Sequence, residues 1–243
     1  MIEKMALKIV NQMEKQKIIS KSNCEYYEYA LIAMVENAIT VGTMLLLGML
    51  FGKILQTICF LLFFLSLRKR TGGFHADKFW QCYLGTVITF IVVIQATPRL
   101  CGTPAVMYGM LFLAIILIYI MGTINHPNMD MDKSELQESK KAARLVVLME
   151  VMIIAVLVYL KADILYIGYM SVAGLLLANL YGSGKNNKTG GKGKMNGKEK
   201  ISVKALRVVE RIARNEVEKV RCGWPPICSG IGHQPKRPKR KEN

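Results

Sequence analysis

Residues 54–98 read ILQTICFLLFFLSLRKRTGGFHADKFWQCYLGTVITFIVVIQATP, and they pass from apolar to polar and back to apolar. The apolar runs 54–67 and 83–98 flank the segment 68–82, which gathers three successive cations, two glycines, a histidine and a cysteine. Such runs are typical of membrane-spanning helices, and the polar segment between them is then a connection at one membrane surface. This stretch predicts a helical membrane protein with reactive side chains beside the bilayer.

The composition of the whole chain agrees with this interpretation. Of its 243 residues 52% are hydrophobic, and 33 lysines and arginines against 17 acidic residues give a formal net charge of +16. A soluble domain of this size needs more polar surface, whereas apolar segments in a bilayer and cations on anionic lipid account for both facts. A nucleic-acid-binding protein is also basic but carries no such series of apolar runs, so we expect anionic lipids and not nucleic acid as partners.

The apolar segments predict an all-α integral membrane fold with about six transmembrane helices. The expected spans are 28–51, 54–67, 83–98, 104–124, 145–160 and 162–181. The second, third and fifth are shorter than the roughly 20 residues of a straight span, so they are tilted, extended by their flanks or partly re-entrant.

Residues 1–27 form a separate N-terminal region that mixes apolar and charged side chains at helical spacing. We expect an amphipathic helix at the membrane interface. The predicted apolar face holds Met5, Ile9, Met13 and either Leu7 or Val10.

Positive charges are unequally divided between the predicted connections. With the N-terminus inside, the outer turns hold only Lys53, Arg99 and Lys161. The positive-inside rule therefore predicts a multi-pass cell-membrane protein whose N-terminus and segment 68–82 are cytoplasmic. The inner segments hold Lys4, Lys8, Lys15, Lys17, Lys21, Arg68, Lys69, Arg70, Lys78, Lys133, Lys140, Lys141, Arg144 and the lysines after Tyr181.

Two carboxylates, Glu36 and Glu150, fall inside predicted spans. Buried carboxylates usually face a bundle interior or a polar cavity, so they serve helix packing, substrate contact or the chemistry itself. The six cysteines lack CxxC spacing, and Cys59 and Cys101 are interpreted as small apolar side chains in the membrane. We expect neither a metal nor a cofactor.

The segment 68–82 holds the two groups that a cysteine peptidase needs, a thiol at Cys82 and a base at His75. The cations at its start would favour the thiolate or hold a substrate carbonyl. On one straight helix the Cα atoms of His75 and Cys82 would be about 10 Å apart, too far for a direct hydrogen bond. We therefore expect His75 in a loop or helix start bent at Gly72 and Gly73.

Cys82 is then predicted on the helix that follows and that begins near Asp77. Asp77 and Gln81 are either orienters of the base or solvated residues of the helix start. Two metal ligands at this spacing do not complete a tetrahedral site.

The composition changes abruptly after Tyr181. Residues 182–194, GSGKNNKTGGKGK, predict a flexible linker. Met195 then opens a unit, 195–243, in which 201–220 predicts a basic amphipathic helix lying flat on an anionic membrane. Its predicted apolar stripe is Val203 or Leu206, Val209, Ile212 or Ala213, Val217 and Val220.

The stretch LRKRTGGFHADKFWQCY, residues 67–83, resembles the signature of the accessory gene regulator B family, the Gram-positive membrane cysteine endopeptidases of quorum sensing. The resemblance extends to the multi-span plan of residues 1–181. It implies Cys82 as the nucleophile, His75 as the base and Arg70 or Arg68 as a functionally important cation. It also implies a homodimer, the commonest closed assembly.

Residues 195–243 resemble the family's substrate, the accessory gene regulator D propeptide: a helix, a central cysteine and a proline-containing tail. The resemblance implies a thiolactone ring over 228–232, from Cys228 to Gly232, and a tail, 233–243, released by cleavage between Gly232 and His233. A disulfide between Cys222 and Cys228 is the alternative for the ring segment.

The chain departs from the family pattern in two respects. Enzyme and propeptide are ordinarily separate chains, whereas here they are joined, by an artificial or a natural fusion. The tail is also basic, whereas many family tails are acidic. The non-enzymatic alternative is a small-peptide transporter or channel with Glu36 and Glu150 along its path.

Overall fold

The structure is a computed structural model that describes residues 2–71, 79–123, 131–180, 202–221 and 238. Within these ranges the regular elements are helices and no strand is present, which confirms the predicted all-α fold. A 3₁₀ turn at Lys21–Asn23 precedes α2. The helices are α1 Ile2–Lys15, α2 Cys24–Leu50, α3 Ile54–Thr71, α4 Phe79–Cys101, α5 Pro104–Met121, α6 Lys133–Tyr159, α7 Ile164–Leu180 and α8 Val203–Arg221.

Helices α2 to α7 coincide with the six predicted spans. The third and fifth spans are extended by their flanks, since α4 has 23 residues and α6 has 27. Among the described residues, three helical stretches are long and apolar enough to cross a membrane: Lys21–Leu50, Phe79–Cys101 and Lys133–Tyr159. Shorter apolar helices lie at Pro104–Ile120 and Ile164–Gly174. This architecture is that of an integral membrane protein.

Three of the connections between successive helices are short: 51–53, 102–103 and 160–163. Connections of this length reverse the chain, so α2 and α3, α4 and α5, and α6 and α7 are antiparallel pairs. Contacts between α3 and α6 occur in opposite order along the two helices, because Ser66 meets Glu150 and Arg70 meets Ser139. Helix α6 is therefore antiparallel to α3.

Helices α3 and α4 are also antiparallel. Their rings Phe60 and Phe90 lie with centroids 5.5 Å apart. In a parallel arrangement Thr71 and Phe79 would be about 33 Å apart at about 1.5 Å per residue. The eight peptide steps between these two residues reach at most about 29 Å. Thus α2, α4 and α6 begin where α3, α5 and α7 end.

We call that side of the bundle the basic end, because most of the cations at helix ends lie there. The ends of α3 and α5 lie on this side, as do the starts of α2, α4 and α6. Its cations on described helices are Arg68, Lys69, Arg70, Lys133, Lys140, Lys141 and Arg144.

The apolar faces of α1 and α8 pack against the first turns of α2, forming a cluster separate from the core of the bundle. In α1 the buried face is Ala6, Val10 and Met13. The prediction that Met5 belongs to this face is wrong, because the face is rotated by one residue and leaves Met5 58% exposed. In α8 the alternatives resolve to Leu206 and Ala213. Val203 and Ile212 are exposed.

A close approach of α2 to α3 at Gly48 gives the first prediction. A Cβ on Gly48 would lie 2.8 Å from the Cβ of Thr57, a distance that forces the helices apart. We expect Gly48→Ala to destabilise the protein by about 1–3 kcal/mol. The measurement is the midpoint of thermal unfolding in detergent.

The matched control is Gly42→Ala on the same helix, where nothing lies within 4 Å of an added Cβ. This substitution should be neutral or stabilising by up to about 1 kcal/mol, since alanine favours helix more than glycine does. Equal midpoints for the two variants would contradict the predicted close contact.

Candidate active site

Cys82 lies in the first turn of α4, on the helix after the basic segment where the sequence placed it. Its side chain is 5% exposed, and its carbonyl accepts a hydrogen bond of 2.8 Å from the Thr86 hydroxyl. The neighbouring Tyr83 hydroxyl lies 3.0 Å from the hydroxyl of Thr43 on α2. The turn that carries the thiol is therefore fixed to α2 and largely shielded from water.

Arg68 and Cys82 lie at the same depth of the bundle. Phe60 on α3 contacts Phe90 on α4. Arg68 is eight residues after Phe60, and Cys82 is eight residues before Phe90. Because the two helices are antiparallel, both residues lie about 12 Å from this contact toward the basic end. The structure thus brings two predicted site residues to one level on neighbouring helices.

The three cations at the end of α3 differ in exposure. Arg68 is 2% exposed and is the largest fully buried side chain among the described residues, whereas Lys69 is exposed and Arg70 is half-buried. Burial of a charge is costly unless other groups stabilise it. The sequence left open whether Arg68 or Arg70 is the functionally important cation. Of these two, Arg68 is the buried one.

The last turn of α3 is bound by two hydroxyl groups, one from the residues just after α5 and one from α6. The carbonyl of Arg70 accepts hydrogen bonds from Thr123 at 2.6 Å and from Ser139 at 3.1 Å. The two hydroxyls also lie 3.1 Å from each other. Carbonyls in a last helical turn have no partner within the helix, so these side chains fix the point where α3 ends.

The two acidic residues within the spans have different surroundings. Glu150 on α6 accepts a hydrogen bond from the Ser66 hydroxyl on α3, which joins these two helices. Glu36 is 8% exposed and lies two helical turns before Thr43, toward the basic end. Glu150 therefore joins α3 to α6, and Glu36 is a buried side chain of α2.

The sequence of these helices matches a known family. The family model for accessory gene regulator B matches residues 4–179. The chain belongs to the accessory gene regulator B family. Comparisons with curated proteins and with solved structures give no match.

The accessory gene regulator B match spans helices α1 to α7 and stops before α8. The family is associated with the processing of autoinducing peptides in quorum sensing, which is the general role of this membrane protein. Cys82, Arg68, Arg70 and Glu36 all lie within the matched range.

Several predicted site residues of this accessory gene regulator B protein lie outside the described residues. They are Gly72, Gly73 and His75 in the enzyme segment, and Cys228, Gly232 and His233 in the propeptide-like segment. The linker 182–194 and the alternative disulfide of Cys222 also lie outside. Over the described ranges, no group of three or more potential metal ligands is close enough to hold an ion.

The sequence did not predict a polar contact between α2 and α8. The Tyr27 hydroxyl donates a hydrogen bond of 2.9 Å to the Glu210 carboxylate, which also receives two hydrogen bonds of 2.9 Å from Arg214. The bonds from Arg214 lower the pKa of Glu210 although burial opposes this, and the bond from Tyr27 lowers it further. The available signal was an acidic residue four positions after Leu206, inside the apolar stripe.

Proposed function

We propose that this accessory gene regulator B protein is a membrane cysteine endopeptidase that processes an autoinducing propeptide carried at its own C-terminus. The observation that supports this most is the buried turn of Cys82 at the level of Arg68, next to the segment that contains His75. A thiol, a base and a cation are the groups required to cleave a peptide bond through a thioester. The substrate bond is Gly232–His233.

The first step forms an acyl-enzyme. His75 takes the proton of Cys82, and the thiolate attacks the carbonyl carbon of Gly232. His75 then gives the proton to the nitrogen of His233 as the C–N bond breaks. The tail 233–243 leaves with a free amine, and Gly232 is joined to Cys82 as a thioester.

The second step transfers the acyl group within the substrate. The thiolate of Cys228 attacks the thioester carbonyl, Cys82 leaves as a thiolate, and the proton of Cys228 returns to the enzyme. One thioester replaces another, so the bond energy is kept in a ring over 228–232. The low exposure of Cys82 supports this outcome, because exclusion of water prevents hydrolysis of the acyl-enzyme.

The proposal includes an orientation and an environment. The concentration of cations at the basic end supports a cytoplasmic position for the catalytic segment and the N-terminus, in contact with anionic lipids. The enzyme is proposed to act as a homodimer and to need no metal or cofactor.

The intact mass of the purified chain tests this proposal. We expect the parent protein to lack HQPKRPKRKEN and to be about one water lighter than the free acid that ends at Gly232, because the new terminus is a thioester. Hydroxylamine cleaves thioesters, so it should convert this terminus to a hydroxamate. A chain that keeps its tail would contradict the cleavage, and a free carboxylate at Gly232 would contradict the ring.

A further inference from the structure

One face of helix α8 packs against α1 and the first turns of α2. Its side chains Leu206, Ala213, Val217 and Val220 are each at most 3% exposed and share a cluster with α1 and the first turns of α2. Its opposite face has Val208 at 55% and Ile212 at 57% exposure. The more continuous apolar face of this helix is thus covered by the enzyme part of the chain. The partners on α1 and α2 include Ala6, Val10, Met13, Tyr27, Tyr29 and Ala30.

A charged group lies in the middle of this apolar contact. Glu210 is 7% exposed, between Leu206 and Ala213 on the buried face. Its carboxylate is satisfied by Tyr27 from α2 and by Arg214 from its own helix. A buried carboxylate without such donors is strongly unfavourable, so the contact selects a helix that places an acidic residue opposite Tyr27.

The contact lies on the side of the bundle where Cys82 lies. The cluster involves α2 up to Ile32, one turn before Glu36, and α2 begins at the basic end. Gly232 is eleven positions after Arg221, the last residue of α8. A chain of this length spans at most about 40 Å, so a seated α8 keeps the proposed scissile bond within reach of this end.

We infer that α1 and the first turns of α2 form a docking surface for the helix of the propeptide. The surface recognises that helix by its apolar stripe and by an acidic residue at the position of Glu210. This inference rests on the proposed function for the identity of the bound segment. The buried face of α8 thus packs against the enzyme part of the chain. The amphipathic pattern alone had predicted that this face binds an anionic membrane.

Hydrogen–deuterium exchange of α8 in the full chain tests the docking. The background is Cys82→Ala, so that no cleavage takes place, in nanodiscs of zwitterionic lipid and of anionic lipid. A lone helix of this length is marginal in water, so its amides are protected only while it is bound. We expect Val217→Asp to reduce protection of α8 at least about 10-fold in both lipids. We expect Tyr27→Phe to reduce it by a smaller factor.

Val208→Asp is the matched control, since it makes the same change on the exposed face of the same helix. It should leave the protection unchanged. If protection needs anionic lipid, or if Val208→Asp is as harmful as Val217→Asp, the helix is bound to the membrane and the inference is wrong.

Tail release from chains that keep Cys82 separates the two proposals. We expect Val217→Asp to slow the release and Val208→Asp to leave it unchanged. Protected α8 without any tail release in the parent chain would overturn the proposed function and leave the surface in place. Unprotected α8 with normal release would overturn the docking role alone.

Discussion

Replacement of Cys82 by alanine will abolish release of the tail 233–243 and leave a full-length chain. The thiolate of Cys82 is the proposed nucleophile, and no other cysteine of the described bundle lies at the basic end between α3 and α4. Removal of a nucleophile typically lowers the rate by three orders of magnitude or more, because the remaining groups act only through it. The variant should therefore show less than about 0.1% of the parent's rate. The measurement is the amount of HQPKRPKRKEN released over time from the chain in nanodiscs.

Cys59→Ala and Cys101→Ala are the controls for this substitution. Cys59 is half-buried on α3, and the buried Cys101 donates a hydrogen bond to the carbonyl of Ile164 at the opposite end of the bundle. Both variants should release the tail at close to the parent's rate. Normal release by Cys82→Ala would exclude a Cys82 thioester and, with it, the proposed mechanism.

The positions of the spans could be predicted from the sequence because each apolar run must satisfy its backbone within a helix. The ends were less predictable, since polar flanking residues such as Lys133 and Ser134 continue a helix that the apolar run alone does not include. Asp132 explains the start of α6: it accepts a hydrogen bond from the Glu135 amide, while Glu135 accepts one from the Asp132 amide, in a capping box. This S/T/D-x-x-E pattern is local and could have been used.

The site was predictable only in part. The sequence placed Cys82 on the helix after the basic segment, but the depth of Arg68 depends on the contact between α3 and α4. The hydroxyls of Thr123 and Ser139 reach Arg70 from 53 and 69 residues away. No local pattern in the sequence indicates such contacts.

The partner of an amphipathic helix is likewise not specified by its periodicity. The same spacing in 201–220 fits a bilayer surface or a protein surface, because both are apolar. What distinguishes them here is Glu210, whose carboxylate is buried opposite Tyr27. An anionic membrane offers no such donor in its apolar layer.

Arg68→Met will separate a catalytic role of the buried guanidinium from a structural one. Arg68 is 2% exposed at the level of Cys82, so its charge acts in surroundings that screen it less than water does. Stabilisation of a developing oxyanion by one such group is worth about 2.7–4 kcal/mol, equivalent to roughly 100-fold or more in rate. We expect Arg68→Met to lower tail release by about 100-fold.

The fold should tolerate this change better than the reaction does. Methionine has a similar length and no charge, so it keeps much of the apolar packing of the side chain and removes the desolvation cost of a buried ion. Lys69→Met is the matched control, because it removes one charge from the adjacent exposed position and should alter neither release nor the thermal midpoint. Arg68→Lys keeps the charge but loses the planar fork, so it should fold and retain part of the activity. If Arg68→Met folds and releases the tail at the parent's rate, Arg68 only packs the basic end, and the cation of the site must be Arg70.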